Sequence, residues 1–173
     1  MTTSARAAVL ETQDGPFEFR DIEIEDPRPD EVLVRVVATG ICATDAHVRA
    51  QRMATPLPVV LGHEGAGVVE RVGAAVTTVE PGDHVVLSYH SCGRCKAMID
   101  AGRLTLGQSL QGIIQGDAVS SLLINDLAQL YRAGRFPIDR LLSFYDFSDI
   151  NTAFEDAGSG RATKAILRFT APG

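Results

Sequence analysis

Apolar and polar residues alternate in the first half of the chain in the way that is typical of β-strands. Residues 17–24 follow a period of two, which predicts a half-buried strand. Short runs rich in valine and small residues predict further strands at 5–11, 31–39, 65–73 and 84–88. Pro81 followed by Gly82 favours a type II turn before the last of them. The N-terminal half is therefore expected to be mainly β-structure.

The pattern changes in the second half, where apolar residues recur at helical spacing. One face of a predicted helix carries Leu123, Leu127, Leu130 and Tyr131. Gly134 follows where a left-handed residue commonly ends a helix. Residues 141–145 predict a strand, Ser148 is a candidate cap for a second helix, and 165–169 predict a closing strand. The fold class predicted is mainly β with α, an α+β fold.

Composition narrows the range of partners and locations. The chain has 173 residues, and 16 Lys+Arg against 22 Asp+Glu give a formal net charge of −6. This acidity argues against nucleic acid or an anionic membrane as a partner, and no apolar run approaches the roughly 18 residues of a membrane span. The three cysteines are an odd number, and residues 1–8 do not resemble a secretory signal. We therefore expect thiols or metal ligands rather than disulfides, and a cytoplasmic location.

Two short segments, far apart along the chain, carry side chains that suit a metal ion. Cys42 supplies a thiolate and His63 an imidazole, both of which are good ligands for zinc. Glu64 is a neighbouring carboxylate that can approach the same ion. The alternative is that Cys42 is a small buried apolar residue and that His63 is a core histidine with its own hydrogen-bond partner. Spacing alone leaves both interpretations open.

Three polar residues near Cys42 suit supporting roles at such a site. Asp45 can accept a hydrogen bond from the second ring nitrogen of His63 and so fix its tautomer. Thr44 and His47 can pass a proton from a metal-bound hydroxyl towards solvent. These side chains are therefore the candidates for catalysis.

A third group, Cys92 and Cys95, has the Cys-x-x-Cys spacing of half a four-cysteine zinc site. A complete site needs two more soft ligands, and the sequence offers only Cys42 and the neighbouring His90. The alternative is a pair of free thiols in a loop.

These segments resemble the zinc-dependent medium-chain alcohol dehydrogenases. The resemblance rests on residues 40–47, 55–64, 67–73, 81–83, 92–95, 130–137 and 149–154, in that order and at similar spacing. It extends over nearly the whole chain. Residues 88–95 and 107–119 are similar to the aryl (benzyl) alcohol branch of the family.

The resemblance implies a fold, a reaction and roles for single residues. The fold is a GroES-like β barrel with C-terminal helices, and the reaction is the oxidation of primary alcohols, aromatic ones among them, to aldehydes with zinc and NAD. The implied roles are zinc ligation by Cys42 and His63, a carboxylate beside the metal at Glu64, a proton relay through Thr44 and His47, orientation of the histidine by Asp45, and contact with the coenzyme pyrophosphate by Lys164. For Lys164 the alternative is a solvated surface lysine.

The sequence also lacks several features that the family pattern contains. No Gly-x-Gly-x-x-Gly turn is found, and a third cysteine is absent at Met98, where the zinc lobe of the family continues. The family's third catalytic zinc ligand is missing as well. We interpret residues 1–173 as a single GroES-like catalytic domain, in which segments 1–97 and about 111–173 are joined where a Rossmann domain is inserted in the family. NAD is then not expected to bind this chain well, and the chain alone is expected to be inactive or nearly so.

Two other functions stay open at this point. The chain can be a non-catalytic GroES-like binding or assembly module, in which surface exposed by the missing domain favours a homo-oligomer. It can also be an enzyme whose nucleotide site is supplied by another chain. The small-molecule partner implied by the resemblance is an alcohol or aldehyde.

Overall fold

A computed structural model describes residues 2–87 and 119–169. The described residues fall into two compact units, one formed by 2–87 with 141–169 and the other containing 119–140. The predicted junction near residues 97–111 lies outside the described residues. The single domain made of two joined segments therefore stays a prediction.

Strands and helices alternate irregularly along the described chain. In order they are β1 (Thr2–Leu10), β2 (Phe17–Glu25), β3 (Val32–Gly40), α1 (Ala43–Arg49), β4 (Val59–Val60), β5 (Gly65–Val72), β6 (His84–Val86), α2 (Ser120–Arg132), β7 (Leu142–Asp146), α3 (Ile150–Ser159) and β8 (Lys164–Arg168). Strands predominate and helices are added to them, so the predicted α+β class is confirmed.

The strands of the first unit form two sheets. One sheet has the order β2-β1-β4, and the other has the order β6-β5-β3-β8-β7. All neighbours are antiparallel except β7 and β8, which run parallel. The C-terminal strand β8 thus lies beside β3 from the first part of the chain.

Helix α3 supplies much of the core of this unit. Its side chains Ala153 and Phe154 are buried together with Leu10, Phe17 and Leu167 from the strands. The rings of Phe17 and Phe154 have centroids 4.6 Å apart, which is a normal aromatic packing distance. Burial of these apolar groups is the main force that holds α3 against the sheets.

Most local predictions agree with the structure. Gly82 has φ +98°, and the Asp83 N–H donates to the Glu80 carbonyl at 3.1 Å, as a type II turn requires. Gly134 has φ +68° just after α2. The prediction that Ser148 caps α3 is wrong, because Asp149 occupies the N-cap position. Ser148 lies instead in a 3-10 turn, where the Ile150 N–H donates to the Phe147 carbonyl and the backbone satisfies its own groups.

Among the helices in the described part of the chain, none is both long and apolar enough to cross a lipid bilayer.

Asn151 connects the start of α3 to the start of β2. The Phe17 N–H donates to Asn151 Oδ1 at 2.8 Å, and Asn151 Nδ2 donates to the Phe17 carbonyl at 3.2 Å. The amide side chain therefore pairs with Phe17 as a neighbouring strand would, in a partly buried position where water competes poorly.

We expect Asn151→Ala to lower the free energy of unfolding by about 1–3 kcal/mol, because it leaves a partly buried N–H without its acceptor. Chemical denaturation measures this change. The matched control is Asn125→Ala on the exposed surface of α2, which should change stability by less than about 0.5 kcal/mol. Equal stabilities of the two variants would contradict the prediction.

A second polar cluster ties β7 to α3 and to the turn before β8. The Tyr145 hydroxyl donates to Asp156 Oδ2 at 2.7 Å, and Arg161 Nε donates to Asp156 Oδ1 at 2.7 Å. The hydrogen bond from Tyr145, followed by that from Arg161, holds the pKa of Asp156 below its ordinary value of 3.8. The same Tyr145–Asp156 hydrogen bond raises the pKa of the tyrosine above 10.0.

The lowered pKa of Asp156 sets the sign of a pH effect. Its contribution to stability is complete above the unfolded value of 3.8 and is lost as the pH falls through the folded value. We expect Tyr145→Phe to make the acid loss of unfolding free energy shallower, since it removes the largest cause of the shift. Denaturation at pH values on both sides of 3.8 measures the slope. Tyr131→Phe on α2 should leave the slope unchanged, and an unchanged slope in Tyr145→Phe would disprove the link.

Candidate metal site

The ends of three neighbouring strands meet at one edge of the larger sheet. The C-terminal end of β3 pairs with the start of β5 through Thr39 and Gly65, and with β8 through Gly40 and Ile166. The chain that leaves β3, the chain that enters β5 and the first residue of β8 therefore lie close together. Antiparallel pairing, and not nearness in sequence, brings the candidate residues to one place.

Three of the predicted metal ligands are neighbours at this edge. The ligand atoms of Cys42, His63 and Glu64 all lie within 4.8 Å of one another, and each residue is half-buried. Thiolate, imidazole and carboxylate are the groups that bind zinc in proteins. Among the described residues, these three side chains therefore fit a zinc ion both in the type of their ligand atoms and in the closeness of those atoms to one another.

Asp45 contacts both of the loops that carry these ligands. Its carboxylate is buried, with 4% of the residue exposed. Oδ2 accepts a hydrogen bond from the Cys42 N–H at 2.9 Å, and Oδ1 lies 3.3 Å from His63 Nδ1. A histidine whose Nδ1 carries the proton towards a carboxylate has its lone pair on Nε2, the arrangement found at zinc-bound histidines. The structure thus places the Asp45 carboxylate beside both Cys42 and His63.

Helix α1 leads from the cluster to the surface. Cys42 precedes its first residue, and the Cys42 thiol donates to Thr44 Oγ1 at 3.6 Å. Thr44 is half-buried beside the thiol, whereas His47 is exposed. Residues three apart share one face of a helix, so Thr44 and His47 lie on the same face of α1.

Lys164 reaches the same cluster from β8. Its ammonium forms an ion pair with Glu64 Oε2 and donates to the Ile41 carbonyl at 3.1 Å. The side chains of Lys164 and Glu64 are 33% and 34% exposed. In this structure Lys164 is therefore not a freely solvated surface lysine. Sequence reasoning missed the Lys164–Glu64 pair, because the two residues meet only through the pairing of β3 with both β5 and β8.

Gly40 makes room for that ion pair. A Cβ built at Gly40 would overlap Glu64 Oε2 and would lie 3.1 Å from Lys164 Cε. A glycine directly before a candidate ligand loop is the one local signal that indicates a close approach of another chain segment.

Cys92 and Cys95, the remaining predicted metal ligands, lie outside the described residues. Their assignment stays a prediction.

Comparison with known proteins supplies the family. Residues 28–132 match the family described as Alcohol dehydrogenase GroES-like domain. This chain belongs to that family. The predicted relationship to the medium-chain alcohol dehydrogenases is therefore confirmed.

Individual relatives agree with this assignment. The chain is 51% identical over 92 residues to geraniol dehydrogenase of Castellaniella defragrans, a match that covers 53% of this chain and 24% of that protein. The chain thus spans about a quarter of the length of that relative.

Solved structures confirm the fold. An alcohol dehydrogenase zinc-binding domain protein from Burkholderia ambifaria superposes with a TM-score of 0.85 at 24% identity, over 99% of this chain and 100% of that chain. Benzyl alcohol dehydrogenase from Acinetobacter calcoaceticus superposes with a TM-score of 0.83 at 21% identity, over 97% and 100%. The predicted GroES-like α+β fold is confirmed by these matches.

The contacts of Asp45 lead to a prediction about metal affinity. We expect Asp45→Asn to weaken zinc binding by about 10- to 100-fold, since loss of a carboxylate that orients a ligand histidine has this effect at other metal sites. Competition with a chromophoric chelator measures the change.

Asp83→Asn is the matched control, because Asp83 also accepts a hydrogen bond from the backbone N–H three residues earlier, that of Glu80, but does not contact the candidate metal cluster. Asp83→Asn should leave zinc affinity unchanged. An equal effect of both substitutions would show that the change comes from the loss of a carboxylate charge and not from the position of Asp45 beside His63.

Proposed function

We propose that this chain is the zinc- and substrate-binding catalytic domain of an alcohol dehydrogenase. In the complete reaction, primary alcohols, aromatic ones among them, are oxidised to aldehydes with NAD as hydride acceptor. The observation that carries the proposal is the cluster of Cys42, His63 and Glu64 within 4.8 Å beside the buried carboxylate of Asp45.

Each side chain of the cluster has a distinct task in this proposal. Cys42, His63 and Glu64 hold the metal, and Asp45 keeps Nε2 of His63 directed towards it. When bound, zinc supplies Lewis acidity that makes the hydroxyl of an alcohol a stronger acid. Thr44, half-buried beside the thiol, would accept the hydroxyl proton as it releases its own hydroxyl proton towards the exposed His47, and His47 would pass a proton on to solvent.

The alcohol class is supported by the relative of highest identity described above. Geraniol dehydrogenase is named for a primary alcohol, and the 92 matched residues share 51% identity with this chain. Because the match covers 24% of that protein, the substrate of this chain is part of the proposal.

Coenzyme binding is the part of the reaction to which this chain alone is least suited. Hydride transfer requires the nicotinamide to be held within about 3–3.5 Å of the reacting carbon, and a misplacement of about 1 Å costs about 10²-fold in rate. The sequence contains no Gly-x-Gly-x-x-Gly turn to bind its pyrophosphate. We therefore infer that this chain alone has negligible dehydrogenase activity.

The experiment that tests the proposal measures zinc and activity on the same samples. We expect the chain to bind zinc, and Cys42→Ser and His63→Ala to lose that binding in chelator competition, because each removes a ligand. His84→Ala is the control, since His84 is exposed on β6 and belongs to no metal cluster of the described residues. With benzyl alcohol and NAD⁺ no turnover above background is expected. Turnover near that of a normal dehydrogenase would contradict the inferred inactivity.

A non-catalytic assembly module is the second candidate function. It is favoured by exposed apolar side chains on two edge strands, namely Val86 of β6, which is 58% exposed, and Phe144 of β7, which is 50% exposed. Light scattering separates the candidates. A chain that assembles but whose zinc content is unaffected by Cys42→Ser supports the module and contradicts the metal site.

A further inference from the structure

We propose that Lys164 competes with the metal ion for Glu64, so that the carboxylate is held by the lysine before metal binds and is transferred to the metal afterwards. This inference rests on the proposed function and adds a means by which the chain sets its own metal affinity. It gives Lys164 a role at the metal site itself, separate from any contact with a coenzyme.

The Glu64 carboxylate belongs both to an ion pair with Lys164 and to the candidate metal cluster. Glu64 Oε2 is paired with the Lys164 ammonium, and the same carboxylate lies within 4.8 Å of the ligand atoms of Cys42 and His63. A carboxylate oxygen that accepts a hydrogen bond from an ammonium has less electron density to offer a metal. Ligation of the metal by Glu64 therefore requires the contact with Lys164 to weaken or break.

The fold gives Lys164 a second acceptor. Its ammonium also donates to the Ile41 carbonyl at 3.1 Å, which is part of the backbone and is not a candidate ligand. When Glu64 moves to the metal, this hydrogen bond and water retain the ammonium at the site. The positive charge thus stays close to the bound ion.

The ion pair is built into the strand packing. Gly40 lies against Glu64 Oε2 and Lys164 Cε, in space that a Cβ would fill, and β8 is fixed beside β3 by backbone pairing at Gly40 and Ile166. Both charged side chains are about one-third exposed. A partly hydrated ion pair contributes little net stability, so a divalent ion can displace the lysine at low cost.

The electrostatic consequence has a definite sign. A fixed ammonium repels a divalent cation and at the same time occupies one of its ligands, so both effects lower metal affinity. Removal of one unit charge near a divalent ion is expected to change its binding by about tenfold even with water-like screening. The opposite role, in which Lys164 only orients Glu64 towards the metal, predicts weaker binding when the lysine is removed.

The test compares neutral variants of Lys164 in the full chain. Zn²⁺ affinity is measured by chelator competition, and the absorption spectrum of the Co²⁺ form reports which ligands are bound. We expect Lys164→Met and Lys164→Gln to bind Zn²⁺ about tenfold more tightly than the wild type. Lys164→Gln keeps a donor for the Ile41 carbonyl and serves as the second variant should the methionine variant fail to fold.

The matched control is Arg168→Met on the same strand. Arg168 is 56% exposed and pairs with Asp146, so its loss changes the net charge equally without touching the cluster. Its Zn²⁺ affinity should remain that of the wild type. In a Glu64→Gln background the gain from Lys164→Met should shrink, because no carboxylate is left to be released, and the Co²⁺ spectrum should no longer respond to Lys164.

The outcomes separate this inference from the proposed function. Unchanged or weaker Zn²⁺ binding by folded Lys164→Gln, with Cys42→Ser still losing zinc, overturns the competition and leaves the metal site in place. An undiminished gain in the Glu64→Gln background also overturns it, since simple repulsion would then be sufficient. A wild-type chain that binds no zinc overturns both proposals.

Discussion

The geometry of the candidate metal site depends on the buried carboxylate of Asp45. With only 4% of the residue exposed, this group needs polar partners to offset the loss of its hydration. It has them in the Cys42 N–H at 2.9 Å and in the ring of His63 at 3.3 Å. One carboxylate thereby fixes the backbone that carries a thiol and the orientation of an imidazole. The two candidate ligands are held together through it before any metal is considered.

Strand pairing brings the rest of the site within reach of that carboxylate. β3 lies between β5 and β8, and its last residues pair with the beginnings of both neighbours. Side chains that follow β3, precede β5 and start β8 consequently share one sheet edge. The absence of a side chain at Gly40 lets the Glu64–Lys164 pair lie directly against the end of β3.

Charge is balanced within this edge by the protein itself. Among the described residues at the cluster, Glu64 is paired with Lys164, and Asp45 faces His63. Each carboxylate therefore has a cation or a hydrogen-bond donor beside it, which offsets the repulsion between the two negative charges. A divalent ion entering the cluster meets a positive charge as well as its ligands. In the proposed metal site, affinity is a balance between the number of ligands and electrostatic repulsion, and we propose that Lys164 sets the repulsion.

Local sequence patterns determined the elements and the types of residue available. The alternation in 17–24 predicted strand β2. Two glycines with positive φ were likewise predictable, Gly82 within a turn and Gly134 just after a helix. Such features depend on a few consecutive residues, whose sterics and polarity act locally. Ligand chemistry limits which residues bind zinc and so made Cys42 and His63 candidates, but their spacing alone left the zinc interpretation open, and only the resemblance to a family favoured it.

Tertiary structure alone decided which distant residues share the site. The contact of Lys164 with Glu64 depends on β8 pairing with β3 across most of the chain, and no local pattern encodes that partner. The N-cap of α3 at Asp149, rather than at Ser148, likewise follows from the 3-10 turn by which the chain leaves β7. The physical reason is the same in both cases. Sequence fixes what each segment can form, whereas the register and packing of segments far apart in the chain fix which groups come within bonding distance.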